Sequence, residues 1–139
     1  MPEPLDDRLS RFPGYALRRA ATAMMGDLSA RLAEIDCRIS DASILLLIED
    51  RKDVTASQIG TLLDIKRANM VPVIGRLEMK GLIRKVPLDG RSLAIVLTPK
   101  GRRRRARAQT ITEDFEKDLL KRVPLEHRKH LKPALNALW

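Results

Sequence analysis

Cationic side chains are the chemistry that this sequence offers most densely. Between Asp64 and Arg107 stand thirteen Lys/Arg against three Asp/Glu, a local balance of +10, while the rest of the chain carries fourteen against fifteen. A formal net charge of +9 gathered into one segment suits a surface that meets a polyanion, nucleic acid first among them. The bland alternative is a solvated basic face with no partner. Residues for bond-making chemistry are missing. There is no glycine-rich phosphate loop, no Ser-centred nucleophile motif and no cluster of metal ligands, so neither an enzyme nor a cofactor is expected. His127 and His130, three apart, can begin a metal site, but no third ligand lies close in sequence. Cys37 is the single cysteine, which excludes an intrachain disulfide and suits a reducing cytosol. An oxidant-sensing role for it requires a lowered thiol pKa and access. Asp36 offsets the neighbouring Arg38, so a buried or inert thiol is expected.

Aromatic residues make up only 3% of the chain, too few for the stacking platforms of most single-strand nucleic-acid binders. The longest wholly apolar run, Ile44 to Ile48, is far too short to span a bilayer, and Met1 to Arg11 is polar. A cytoplasmic protein without a membrane partner is therefore expected, and 139 residues suffice for one compact domain.

Apolar spacing indicates what must position the cations. Residues 1 to about 13, with three prolines among charges, read as a loose arm. A helix follows, with Leu17, Ala21, Met24, Leu28, Leu32 and Ile35 as its stripe. Asp41 to Glu49 reads as a short helix apolar on every side, hence central, although composition alone would also allow a strand. Thr55-Ala56-Ser57-Gln58 has the spacing of a capping box, and Ile59, Leu62 and Leu63 give that helix a buried face. After the polar break Asp64-Ile65-Lys66, a second helix is expected from Arg67 to Lys80. Met70, Val73, Ile74 and Leu77 face inward, and Gly81 stands where a left-handed cap is needed. Leu82 to Val86 and Ser92 to Leu97 read as strands joined by a turn that carries the Asp89-Gly90 signal. Thr98 and Pro99 open a long helix, and Pro124 opens a final one that Pro133 can bend.

Helix, short turn, helix, strand, basic turn, strand is the order of a helix-turn-helix followed by a wing, and the second helix of such a unit enters the major groove. The stretch Thr55 to Gly60, the run Arg76-Leu-Glu-Met-Lys-Gly-Leu-Ile-Arg84, the Asp89-Gly-Arg91 turn and Leu97-Thr-Pro-Lys-Gly101 together resemble the MarR family of winged helix-turn-helix transcriptional regulators, from about Gly14 to Leu138. The resemblance implies a mainly α fold with a small β-wing, and a single MarR-type domain over 1–139. About 41–97 would form the winged helix-turn-helix, and about 14–36 and 99–139 the dimerisation helices. It further implies a homodimer that binds a near-palindromic operator on double-stranded DNA as a repressor, released by a small ligand such as an aromatic acid or, in some members, by thiol oxidation. A non-specific architectural DNA binder and a protein-interaction adaptor on the same fold are the rival readings.

Roles within that frame follow from residue type. At 100° per residue, the face of the second helix opposite its apolar stripe is Ala68, Val71, Pro72 and Gly75, flanked by Asn69 and Arg76. Small residues let the backbone approach base edges, and Ala68 or Pro72 can touch thymine methyls. Asn69 can pair with adenine, or else make a local backbone contact. Arg76 can reach guanine or phosphate, while Lys66 and Arg67 at the helix start suit phosphates. Pro72 departs from the family's usual pattern and removes a helical hydrogen bond. Arg91 matches the family's Asp-x-Arg wing and can enter a narrow minor groove, with Asp89 orienting the wing by pairing with it; the alternative is a plain Asp-Gly turn. Of Arg102 to Arg105, one or two can meet phosphate, the others pairing with acids or remaining solvated. Tyr15, Arg18, Met24 and Met25 are the candidates for an effector pocket, against the simpler reading of core and dimer packing.

Overall fold

Ile44, Leu45 and Ile48 are fully buried because other elements close around their helix. The computed structural model describes residues 7–139. In chain order it comprises α1 (Asp7–Ser10), α2 (Pro13–Ala33), α3 (Ile39–Ile48), α4 (Ala56–Leu62), α5 (Arg67–Met79), β1 (Ile83–Pro87), β2 (Leu93–Leu97), α6 (Pro99–Arg122) and α7 (Arg128–Asn136). Helix α3 packs on α2, α5, α6 and β2 and so occupies the centre of the molecule. The mainly helical fold with a two-stranded wing is the one expected from the sequence. Part of the expected loose arm, residues 1–6, falls outside the described residues, and the rest of it begins with the short helix α1.

Local signals in the sequence set the ends of the helices. At α4 the Thr55 hydroxyl accepts from the Gln58 N–H at 3.2 Å, and the Gln58 side chain accepts from the Thr55 N–H at 3.0 Å, completing the box. Helix α5 ends at Gly81, whose φ of +72° lets the Leu82 N–H bond back to the Leu77 carbonyl. Asp36 and Asp64 take left-handed conformations after α2 and α4, with the same backward bond at each: Cys37 N–H to Leu32 and Ile65 N–H to Gly60. Aspartate tolerates that region better than most side chains, which is why these two turns are tight without glycine. Thr98 caps α6 by accepting from the Gly101 N–H.

The wing is an antiparallel hairpin in the register Ile83↔Leu97 to Pro87↔Leu93. A bridge between Thr55 and Ala94, with the Ile95 N–H on the Val54 carbonyl, ties β2 to the start of α4, so the wing is fixed to the helix-turn-helix. The C-terminal segment differs in detail from the sequence reading. Pro124 is followed by a 3-10 turn, Leu125–His127, before α7 begins at Arg128, and Pro133 lies inside α7. No residue of α7 is buried, and Leu125, Leu138 and Trp139 are largely exposed. No helix among the described residues is long and apolar enough to cross a membrane.

Candidate nucleic-acid interface

Helix α5 divides its residues sharply between two environments. Met70, Ile74 and Leu77 are buried, whereas Lys66, Arg67, Ala68, Asn69, Val71 and Pro72 are exposed. The helix can sit this way because α4 comes unusually near. A Cβ on Gly60 would stand 3.0 Å from the Ile65 carbonyl oxygen and 3.1 Å from Met70 Cγ. Pro72 cannot supply the N–H that would bond the Ala68 carbonyl. Both residues lie on the exposed side, where water or a ligand can satisfy that oxygen, and the helix runs on unbroken to Met79.

A groove of about 810 Å³ runs between α4 and α5. Gly60, Ile65 and Met70 line it, and Lys66 and Arg67 stand with Lys85 of β1 around it. The start of α5 and the base of the wing therefore share one concave face. The side chains of Lys66, Arg67, Asn69 and Arg91 have no intramolecular hydrogen-bond or ion-pair partner among the described residues. The local backbone contact considered for Asn69 is not made.

The wing turn differs from the sequence reading, and Arg76 has a partner that the sequence did not indicate. Asp89 does not pair with the Arg91 guanidinium. Its Oδ1 accepts the backbone N–H of Ser92 at 2.9 Å and of Arg91 at 3.2 Å, which closes the turn and leaves the Arg91 side chain free. Those N–H donors, Ser92 first and Arg91 second, hold the Asp89 carboxyl below its ordinary range. Arg76, read as a DNA-reaching residue, instead turns inward, with Nη2 lying 2.6 Å from Oδ1 of Asp41 on α3. Asp41 was not singled out in the sequence. An acid at the edge of an apolar run reads as a helix start, and nothing local marks it as buried.

The arginine run at the start of α6 also splits. Arg105 binds Glu49 and Gln109, both at 2.7 Å, and Arg104 donates to the Asp36 carbonyl, while Arg102 and Arg103 are exposed. On α2, the Arg18 and Arg19 guanidinium carbons lie 5.6 and 5.7 Å from the Tyr15 ring centre, and Arg19 donates to the Tyr15 hydroxyl at 2.8 Å. Met24 is half-buried and Met25 exposed. Burial, and secondarily the charge of Asp41, push the Cys37 thiol up to about 11. His127 and His130 are both exposed, and no group of three or more His, Cys, Asp or Glu placed to hold a metal occurs among the described residues.

This arrangement has counterparts among known proteins. The MarR family model matches residues 39–93, from the start of α3 to the wing. The transcriptional repressor CouR, solved on a 23-mer DNA duplex, is 31% identical over 99% of each chain and superposes with a TM-score of 0.87. The chain belongs to the MarR family. CouR bound to p-coumaroyl-CoA is 28% identical over 98% of this MarR-family chain and 97% of its own, with a TM-score of 0.86. The Mycobacterium tuberculosis MarR family protein Rv2887, in complex with salicylic acid, shares the fold at 21% identity, covering 99% of this chain and 98% of its own with a TM-score of 0.71. No curated protein matches the sequence significantly. This MarR-family protein is a transcriptional regulator on a winged helix scaffold.

Proposed function

We propose that this regulator is a homodimeric repressor of a near-palindromic operator. Helix α5 of each copy enters a major groove, where Asn69, Ala68 and Pro72 face base edges and Lys66 and Arg67 hold phosphates. Arg91 of each wing enters the flanking minor groove, and the Asp89 turn presents it. One observation carries this reading. Lys66 and Arg67 at the start of α5, whose side chains have no internal partner among the described residues, share a groove with Lys85 of the wing, which itself lies 3.8 Å from Glu78. The likeness to a repressor solved on duplex DNA supports it.

Residues 14–36 and 99–139 are the proposed dimerisation frame. In support, these two segments leave Leu17, Leu120, Leu125, Leu138 and Trp139 exposed, apolar side chains that a second copy could cover. Release by a small ligand is proposed at the α2 platform of Tyr15, Arg18, Met24 and Met25. CouR with p-coumaroyl-CoA supports an aromatic acid or its CoA thioester as the ligand class.

Light scattering together with duplex titration tests the reading. A dimer should form at micromolar concentration, and a duplex selected by the protein from a random pool should bind at least about 10³-fold more tightly than random duplex. Salicylate, p-coumaroyl-CoA and free CoA, added separately, distinguish the acid from the thioester. A monomer, or equal affinity for selected and random duplex, would contradict it, and the latter would favour an architectural binder.

A further inference from the structure

The ion pair between α3 and α5 has no part in the contacts proposed above. The Asp41 side chain is 1% exposed and lies among the apolar residues of the core. Its Oδ2 accepts the Arg38 N–H at 2.9 Å, and its Oδ1 accepts from Arg76 Nη2 at 2.6 Å. The Arg76 side chain is 22% exposed, and its Nε is buried without a partner among the described residues. The guanidinium is thus drawn into the protein, although its Cα lies beside the face that meets DNA.

We infer that Arg76 is a positioning residue for DNA reading and not a DNA contact: anchored on Asp41, it sets the rotation and tilt of α5 against α3. This rests on the proposed reading of DNA by α5. Arg76 lies in the last turn of α5, roughly 14 Å along the axis from Arg67. Lys80, the next residue after α5, holds the same end through the Asp36 carboxylate and carbonyl, both at 3.1 Å. The reading end of the helix has no ionic anchor among the described residues and rests on Met70 against Gly60. An apolar stripe alone permits small rotations about the helix axis, whereas a buried carboxylate fixed on α3 by the Arg38 N–H and receiving a directed donor from α5 specifies a single arrangement. Base-edge hydrogen bonds weaken steeply with distance and angle, so a slight rotation at the anchored end weakens every base contact at the other.

Two variants and one DNA panel test this. Asp41→Asn keeps an oxygen for the Arg38 N–H and removes the charge that holds Arg76. The double variant Asp41→Asn with Arg76→Met removes both charges, so no unpaired ion is buried and the fold is kept. Each is titrated against a duplex selected by the wild-type protein, against random duplex, and against a panel that replaces the half-site base pairs one at a time. Both variants should discriminate selected from random duplex about tenfold less well than wild type. The loss should be spread over the half-site, and the dependence of log affinity on log salt should be unchanged. Loss at one base pair would make Arg76 a base reader, and a salt slope shallower by about one would make it a phosphate contact. Either result, or wild-type discrimination in the double variant, overturns the inference. If Asp41→Asn does not fold, the double variant decides by the same readouts. If the wild-type protein enriches no sequence, the operator reading has failed and takes this inference with it, a result distinct from failure of the ion pair alone.

Discussion

Arg91 and Arg76 show how differently two arginines of the winged domain can behave. Arg91 stands on a turn whose acid is occupied by backbone N–H groups, so its guanidinium is available to DNA without first breaking an internal pair. Replacing it with Ala should weaken operator binding by about 1–3 kcal/mol, read by gel shift, with thermal stability unchanged; unchanged affinity would remove Arg91 from the interface. The Asp-Gly-Arg spacing made this residue legible, because a turn is a local structure. Arg76 was not legible: its partner lies 35 positions away, and helical periodicity places a residue on a flank without saying what faces it. Cys37 follows the same logic of burial. A thiol pushed up to about 11 is almost wholly protonated at neutral pH, so alkylation at pH 8 should be far slower than for a free cysteine. Modification at the rate of an exposed thiol would show that Cys37 is accessible and able to respond to oxidants.

At the scale of elements, the caps and turns carry much of the specification, and they were the easiest features to read. Thr55 with Gln58, Gly81 and Thr98 each act within a few residues, so composition and spacing suffice to find them. Gly101 was legible as part of a motif, but its reason is tertiary. A Cβ there would collide with the Leu82 backbone, where the chain leaves α5 for the wing. Gly101→Ala should therefore cost about 1–3 kcal/mol in stability and displace the wing, measured by chemical denaturation; a wild-type midpoint would contradict the close approach. The Asp89 turn is expected to respond to acid. Its folded pKa lies below the ordinary 3.8, so its stabilisation is full above that value and is lost as pH falls through the lower one. The Arg91 and Ser92 amide resonances should titrate together below pH 3.8, and a midpoint at or above it would show that the turn is not held this way. The 3-10 turn after Pro124 and the short helix α1 were missed because each is too brief to leave a periodic signal.

Over the whole molecule, function depends on where positive charge gathers. The sequence placed the basic excess within one segment, and the fold distributes that segment among tasks. Arg76 turns inward to the buried Asp41, Arg105 pairs with Glu49 and Arg104 donates to the Asp36 backbone carbonyl, while Lys66, Arg67 and Arg91 have no internal side-chain partner among the described residues. Net charge alone could not separate the two groups, because the separation depends on which carboxylates and carbonyls the packing of α3 and its neighbouring loops brings near. Hydroxyl-radical footprinting of the selected duplex reads whether helix and wing dock together. The wild-type protein should protect two segments about one helical turn apart together with their outer flanks, and Arg91→Ala should lose the flanks while keeping the two central segments. Even protection along the duplex, or flanks that survive the substitution, would contradict joint docking of helix and wing.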